Sequence, residues 1–206
     1  MNGGENDMMQ TLTACELIAQ HCGDAVLVAT MRAMRAFDQL GTTAPRINSV
    51  PLMGGAASLG LGLALARPAQ RVIVVDGDGS LLMQLGGLVT VSGQQPRNFV
   101  HFVVHNGSQF TGGANLQLPG NGQADFPGLA RAAGYRRVET FCDRDALAAC
   151  IGELLACEGP VFVELRVQAE AVTLGLESPQ TEMPDRQFKR MGDEARLLKT
   201  HLERAQ

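Results

Sequence analysis

Residues 71–80 read Arg-Val-Ile-Val-Val-Asp-Gly-Asp-Gly-Ser, and residues 98–108 read Asn-Phe-Val-His-Phe-Val-Val-His-Asn-Gly-Ser. Each contains a short apolar run rich in β-branched residues and ends in turn residues, which is typical of a buried parallel strand. The intervening segment, 81–92, is predicted to be a helix. A right-handed crossover would place the two strands side by side and parallel. We therefore expect Asp78 and Asn106 to meet at the carboxyl edge of the sheet, where open α/β folds bind ligands.

Strands and helices alternate along the rest of the chain. This alternation predicts an α/β fold with a doubly wound parallel sheet and helices on both faces. Residues 1–10 are expected to be a disordered N-terminus, 11–167 the folded domain, and 168–206 a C-terminal extension with a helix at 185–205. The remaining expected helices are 11–22, 31–40, 125–133 and 143–157. The remaining expected strands are 25–29, 135–140 and 160–167, and loops are expected at 41–50 and 107–124.

The segment 51–67 carries small residues at close helical intervals, namely Gly54, Ala57, Ser58 and Gly62. Such a helix can pack with its backbone close to a sheet or to another helix. A nicotinamide-dinucleotide fingerprint would need its glycines between a strand and the start of a helix. Because these glycines lie within the predicted helix, a nicotinamide-dependent dehydrogenase is set aside.

Composition excludes several classes of protein. The 206 residues carry a net charge of −4 without a basic block, and they include one Tyr and no Trp, which does not support a nucleic-acid surface. No apolar stretch approaches the roughly 18 residues of a membrane span, and the N-terminus shows no secretory signal. Five scattered cysteines without a Cys-x-x-Cys indicate reduced thiols in a cytoplasmic protein, used for core packing.

The Gly-Asp-Gly turn has two interpretations. One carboxylate and one amide oxygen, from Asp78 and Asn106, suit Mg²⁺, which completes its octahedron with phosphate oxygens and water. Glycines let backbone N–H groups approach a phosphate, and a helix from Ser80 offers its positive end. Gly-Asp-Gly and Asn-Gly are also ordinary turn sequences. The motif alone leaves both interpretations open.

The order and spacing of these residues resemble a known family. Asp78 and Asn106 are 28 positions apart, and here the chain resembles the diphosphate-binding (PP) domain of thiamine-diphosphate enzymes. The likeness runs from Leu12 to Val167. It is greatest to the β-type subunit of sulfopyruvate decarboxylase and the matching half of phosphonopyruvate decarboxylase. It implies that Asp78, Asn106 and the backbone carbonyl of Ser108 hold Mg²⁺. His105 stands where the family often has Asn.

The resemblance implies further cofactor contacts. Met53 would be the wedge that bends the cofactor, and the carbonyl of Pro51, where the family commonly has Gly, would accept from its exocyclic amine. Met53 could instead simply fill a gap in the core. Thr30 would donate its hydroxyl to the diphosphate or merely cap a helix. The full set implied for cofactor binding is Thr30, Pro51, Met53, Gly77, Asp78, Gly79, Ser80, Asn106, Ser108, Gln109, Phe110 and Thr111.

Other residues near the predicted site have open roles. Arg32 and Arg35 are alternatives for reaching an anion, although arginines on helices are usually solvated. The segment 107–124 resembles the family's cofactor-closing loop, with Gly112-Gly113 followed by Gln117-Leu-Pro119. The resemblance implies that the backbone N–H groups near Gln109, Phe110 and Thr111 wrap the diphosphate.

The resemblance also implies a reaction and a partner. Thiamine diphosphate cleaves bonds beside a carbonyl, and the family needs a Glu from a pyrimidine-binding domain. No glutamate in this chain has a matching context, so we expect no catalytic residue here and a separate α-type subunit that supplies the Glu. The expected substrate is a small 2-keto acid with a second acidic group, and the assembly a homo- or hetero-oligomer. A carboligase or synthase subunit and a non-catalytic module with a vestigial site remain alternatives.

Overall fold

A computed structural model describes residues 8–111, 114–119, 123–169 and 184–204 of the chain. Its strands are β1 (Val26–Ala29), β2 (Arg46–Asn48), β3 (Val72–Gly77), β4 (Phe99–His105), β5 (Ser108–Thr111), β6 (Ala114–Gln117), β7 (Arg137–Phe141) and β8 (Val161–Arg166). Its helices are α1 (Thr11–His21), α2 (Met31–Gln39), α3 (Ala56–Ala66), α4 (Asp78–Met83), α5 (Gly86–Gln94), α6 (Phe126–Ala133), α7 (Arg144–Ala156) and α8 (Pro184–Arg204).

Six parallel strands form one sheet in the order β2-β1-β3-β4-β8-β7. The central strand β3 pairs with β1 through Val75 and Ala29, and with β4 through Gly77 and Val104. The chain continues outward from β1 to β2 on one side and from β3 to β4 on the other. The boundary between β1 and β3 is therefore the topological switch point, where α/β sheets open a crevice for ligands. The predicted fold class is confirmed.

Both faces of the sheet are buried, because its strands are apolar on both sides. Strand residues such as Leu27 and Val75 pack with α1, α2 and α7 on one face. Their neighbours, such as Val28 and Val74, pack with α3, α5 and α6 on the other. Burial of this extent contributes about 25 cal/mol per Å² of apolar surface and is the main force that holds the layers together.

Helix α3 lies close to the sheet, as predicted for a helix rich in small residues, but at a different position. A Cβ atom at Gly60 would lie 2.3 Å from Cγ2 of Val74, so only glycine allows this approach to β3. Gly62, which was among the residues expected to pack, is exposed and has open space around it. Ser58 is also exposed. Which of the small residues faces the sheet depends on the rotation of the helix about its axis.

Four segments differ from the sequence predictions. The helix expected over 51–67 begins only at Ala56, because Gly54 has a positive φ of +83° and lies in the preceding turn. The loop expected at 41–50 contains β2, whose three residues are too few for a periodic signal. The single helix expected over 81–92 is two helices, because Gln84 has a non-helical backbone (φ −145°, ψ 56°). The loop expected at 107–124 contains the antiparallel hairpin of β5 and β6. The predicted acidic caps are confirmed, since Asp125 accepts from the N–H of Gly128 and Asp143 from that of Ala146.

The two ends of the described chain pack on the domain. Met9, expected to be disordered, is buried at 4% exposure, and its backbone bonds to Cys142 and Gln168, so order begins before residue 10. Residues 1–7 and the segment 170–183 lie outside the described residues. The predicted C-terminal helix is α8, which contacts β2. In the described parts of the chain, no helix combines the length and apolarity needed to cross a membrane.

Candidate functional site

A cavity opens at the carboxyl ends of β1, β3 and β4, at the switch point of the sheet. Each strand delivers its next residues to the wall because parallel strands end at the same edge. The turn after β2 closes one side and the start of β5 another. The lining residues are Thr30, Met31, Arg32, Ala33, Ser49, Val50, Met53, Asp76, Gly77, Asp78, Gly79, Ser80, Val104, Asn106, Ser108 and Gln109.

The three residues predicted to hold a cation come together in this cavity. Oδ1 and Oδ2 of Asp78 accept hydrogen bonds of 2.7 Å from the backbone N–H groups of Gly79 and Gly107. Oδ1 of Asn106 accepts from the backbone N–H of Ser108 at 2.9 Å and from its hydroxyl at 3.2 Å. Asp78, Asn106 and Ser108 are 2%, 5% and 7% exposed. The turn after β3 and the loop after β4 are thereby fixed to each other.

Burial dominates the electrostatics of Asp78. It raises the pKa of this carboxyl above its ordinary value, and the hydrogen bonds from Gly107 and Gly79 lower it only in part, as does the nearby His105. A buried carboxylate is costly unless a positive charge or hydrogen bonds compensate for lost water. A cation beside Asp78 would supply that compensation.

The donor set fits a hard cation with a diphosphate. A carboxylate, an amide oxygen and a backbone carbonyl are oxygen ligands of the kind that Mg²⁺ takes, with the remaining positions left for phosphate oxygens and water. The turn is also shaped for close approach. A Cβ atom at Gly79 would lie 2.7 Å from Cβ of Gln109, so glycine is required for the turn to lie against β5. Asp78, Asn106 and Ser108 are therefore the residues that could hold Mg²⁺.

Thr30 lies at the end of β1 and precedes α2. It occupies the N-cap position, but its side chain makes no capping hydrogen bond to the helix. Its hydroxyl instead donates to the carbonyl of Val75 over 3.4 Å, and the residue is buried in the cavity wall. This geometry favours a role facing the cavity over a simple cap.

The two arginines of α2 have different positions. Arg32 lines the cavity, and its Nη2 donates to the hydroxyl of Ser108 over 3.2 Å. Partial burial lowers the pKa of Arg32, the carboxylate of Asp78 raises it, and the neighbouring Arg35 lowers it. Arg35, one turn further along α2, is not among the lining residues of this cavity. Of the two candidates for reaching an anion, the structure brings Arg32 to the site.

The turn between β2 and α3 supplies the opposite wall. Met53 is half-buried and lines the cavity, whereas Pro51 lies in the same turn without lining it. The backbone N–H of Gly54 donates to Oγ of Ser80 over 3.0 Å. Gly54 needs its glycine identity because its φ is +83°. This bond ties the Met53 turn to α4 and so fixes the cavity wall against the Gly-Asp-Gly turn.

The hairpin contributes the remaining predicted contacts. Gln109 lines the cavity beside Gly79, as expected. The backbone of Phe110 and Thr111 belongs to β5, and their side chains lie outside the described part of the chain. Gly112 and Gly113 also lie outside the described residues. Gln117 and Pro119 are described and exposed.

Sequence reasoning missed some residues at the site. Ser49 follows β2 and lines the cavity. Because β2 was not predicted from the sequence, the residue after its carboxyl end could not be recognised as part of the site. Glu164, fully buried in β8 beside the site, accepts a hydrogen bond of 2.7 Å from Nδ1 of His105. A lone glutamate within an apolar strand run was the available signal for it. The ring of His105 also packs edge-on against Phe126, with centroids 5.0 Å apart.

Comparison with known proteins gives matches to the family that the sequence resembles. The family model for the C-terminal TPP-binding domain of thiamine pyrophosphate enzymes matches residues 26–165. Phosphonopyruvate decarboxylase of Streptomyces viridochromogenes is 39% identical over 153 residues, covering 74% of this chain and 38% of that protein. Sulfopyruvate decarboxylase subunit beta of Methanothermobacter thermautotrophicus is 38% identical over 116 residues, covering 56% of this chain and 58% of that protein.

A solved structure shares the fold. The thiamine diphosphate-dependent 4-hydroxybenzoylformate decarboxylase of Rhodococcus jostii superposes with a TM-score of 0.65 at 19% identity, over 82% of this chain and 34% of that one. At this identity the likeness concerns the architecture. The matches span less than two thirds of the length of each of these three proteins.

Proposed function

Since the chain belongs to the thiamine pyrophosphate enzymes through their C-terminal TPP-binding domain, we propose that it is the diphosphate-binding subunit of a 2-keto acid decarboxylase. One observation carries the proposal. Asp78 and Asn106, from the turns after two adjacent strands, converge with Ser108 in a single buried cavity. The relatives named as phosphonopyruvate and sulfopyruvate decarboxylases support the choice of reaction class.

In this proposal Asp78, Asn106 and the carbonyl of Ser108 would hold Mg²⁺, and the ion would supply positive charge for the diphosphate. The backbone around Gly79 and Gln109 would enclose the phosphates and exclude water. Ser80, whose oxygen accepts from the N–H of Gly54, would donate its hydroxyl to a phosphate oxygen. Thr30 would do the same from the other side of the switch point by exchanging its bond to the carbonyl of Val75. The carbonyl of Pro51 and the backbone N–H groups near Phe110 and Thr111 complete the implied contacts.

The bound cofactor would supply an electron sink for cleavage of the bond beside the substrate carbonyl. The role of this chain is to anchor and orient it. Met53, which rises from the turn tied to Ser80, would press between the two rings and hold them bent. Gly77, at the end of β3, lies in the cavity wall, where its backbone would contact the phosphates.

We propose that a second chain completes the site. Among the described residues that line the cavity, the carboxylates belong to Asp76 and Asp78. A glutamate facing the aminopyrimidine ring would therefore come from an α-type subunit, and the cofactor would lie between the chains. The similarity to a protein named as a beta subunit supports this arrangement. A substrate with a second acidic group, such as sulfopyruvate or phosphonopyruvate, follows from the same relatives.

The test is reconstitution. The chain is purified alone and together with the product of the adjacent reading frame, and CO₂ release is measured with sulfopyruvate, phosphonopyruvate and pyruvate in the presence of thiamine diphosphate and Mg²⁺. We expect release only from the mixture and only with a substrate that carries the second acidic group. Decarboxylation by this chain alone would refute the split site. Condensation products with an added keto acid would identify a carboligase. If the two chains assemble but bind no thiamine diphosphate, the result would indicate a non-catalytic module and contradict the proposal.

A further inference from the structure

Arg32 stands in an unusual electrostatic position. It belongs to the first turn of α2, where the helix presents the positive end of its dipole and where no acidic residue is present. A cation at this end of a helix is unfavourable, and an anion is favourable. The side chain nevertheless lies in the cavity wall. The nearby carboxylate of Asp78 offsets part of this cost, and an anion between the helix end and the guanidinium would offset more of it.

The guanidinium also lies close to the cation site. Its Nη2 donates to Oγ of Ser108 over 3.2 Å, and the same hydroxyl lies 3.2 Å from Oδ1 of Asn106. One hydroxyl group thus separates Arg32 from a residue that could hold Mg²⁺. A phosphate oxygen bound to that cation would fall within reach of the guanidinium.

The charges of the occupied site support the same conclusion. Asp76 and Asp78, the carboxylates among the described lining residues, supply at most two negative charges, whereas Mg²⁺ and Arg32 together would supply three positive ones. The two carboxylates alone therefore do not balance these positive charges in a buried cavity. A bound phosphate group would supply the missing negative charge, and a guanidinium binds phosphate oxygens through paired N–H groups in a fixed plane.

We propose that Arg32 binds the diphosphate, exchanging its hydrogen bond to Ser108 for phosphate oxygens, and thereby adds a cationic side chain to the phosphate site. This inference rests on the proposed function. Neither the Gly-Asp-Gly turn nor the Asn106-Gly107 loop contains a cationic side chain that could bind the phosphates. In this chain the first turn of α2 supplies such a side chain, Arg32.

The experiment uses the chain assembled with its partner and compares Arg32→Met with Arg35→Met. Both variants remove a guanidinium from the same helix, but only Arg32 lines the cavity. Calorimetry with Mg²⁺ gives the Kd of thiamine diphosphate, thiamine monophosphate and unphosphorylated thiamine. We expect Arg32→Met to weaken diphosphate binding by about 10- to 100-fold, the range for loss of a charge-assisted hydrogen bond. Binding of unphosphorylated thiamine should be unchanged, as should diphosphate binding by Arg35→Met.

Arg32→Lys provides a second variant that keeps the charge and fills most of the same space. It should bind thiamine diphosphate with a Kd between those of the wild type and Arg32→Met, and should retain the wild-type Tm without cofactor. An unchanged Kd in Arg32→Met, or an equal loss for all three ligands together with a lower Tm, would overturn the inference. Failure of the wild-type assembly to bind thiamine diphosphate would instead overturn the proposed function.

Discussion

The backbone N–H of Gly107 donates to Oδ2 of Asp78 over 2.7 Å. This bond joins the loop after β4 to the turn after β3, so the two halves of the candidate cation site are held in register before any ligand binds. Preorganisation of this kind lowers the entropy cost of binding. It also means that Asp78 has both a structural and a proposed binding role.

Asp78→Asn keeps the size of the side chain and one oxygen acceptor but removes the charge. We expect the affinity for Mg²⁺, measured in the presence of thiamine diphosphate and the partner chain, to fall by about 100-fold or more, because loss even of outer contacts to a metal ligand costs 10- to 100-fold. Asp145→Asn is the matched control, since its side chain is 86% exposed on α7. Equal Mg²⁺ affinity in the two variants would remove Asp78 from the cation site.

Gly79→Ala tests the close approach of the turn to β5. The added Cβ would lie 2.7 Å from Cβ of Gln109, so we expect the free energy of unfolding to fall by about 1–3 kcal/mol, as in overpacked cores. Gly62→Ala is the control, because that glycine is exposed in α3 with nothing within 4 Å of the new atom. It should be stabilised by about 0.5–1 kcal/mol. Urea denaturation of both variants gives the comparison, and a neutral Gly79→Ala would contradict it.

Glu194→Ala tests how α8 is anchored. The carboxylate of Glu194 accepts from the backbone N–H of Asn48 at 2.7 Å and from its side-chain amide. Asn48 ends the edge strand and immediately precedes Ser49 and the cavity wall. Loss of these charge-assisted bonds should speed amide hydrogen exchange in α8 by roughly 10- to 100-fold.

Glu203→Ala is the control for this change, since the Glu203 side chain is 57% exposed near the end of the same helix. Exchange in α8 should remain near the wild-type rate in that variant. If both variants show the same exchange, the contact with Asn48 does not hold the helix.

The docking of α8 should depend on pH through Asp38. Burial raises the pKa of Asp38, but hydrogen bonds and charge from Arg190 and Arg46 outweigh it, so the folded-state pKa lies below the ordinary value. A depressed carboxyl pKa adds stability that is present above the unfolded pKa, about 4, and is lost as pH falls through the folded value. We expect the stability difference between wild type and Asp38→Asn to stay constant from pH 7 to about 5 and to shrink below about pH 4. Denaturation at each pH measures this stability difference. A difference that grows as the pH falls would contradict the prediction.

Much of the architecture could be predicted from the sequence because its signals are local. Apolar runs such as that of β3 predict strands wherever they fall, and the crossover rule then brings Asp78 near Asn106 without further information. The helix caps at Asp125 and Asp143 are likewise local, since each side chain bonds to an N–H group three residues later. The local signals were too weak to predict β2, the break in the helix near Gln84 and the hairpin of β5 and β6.

By itself the sequence determined the alternation of the main strands and helices and the edge at which the turns after β3 and β4 meet, since both follow from periodicity and chain connectivity. Tertiary structure alone decided that Arg32 lines the cavity while Arg35 does not, that Gly60 and not Gly62 meets the sheet, and that α8 covers β2 through Glu194. These outcomes depend on the rotation and docking of whole helices. Contacts between residues far apart in the chain set that rotation, and no local pattern encodes it.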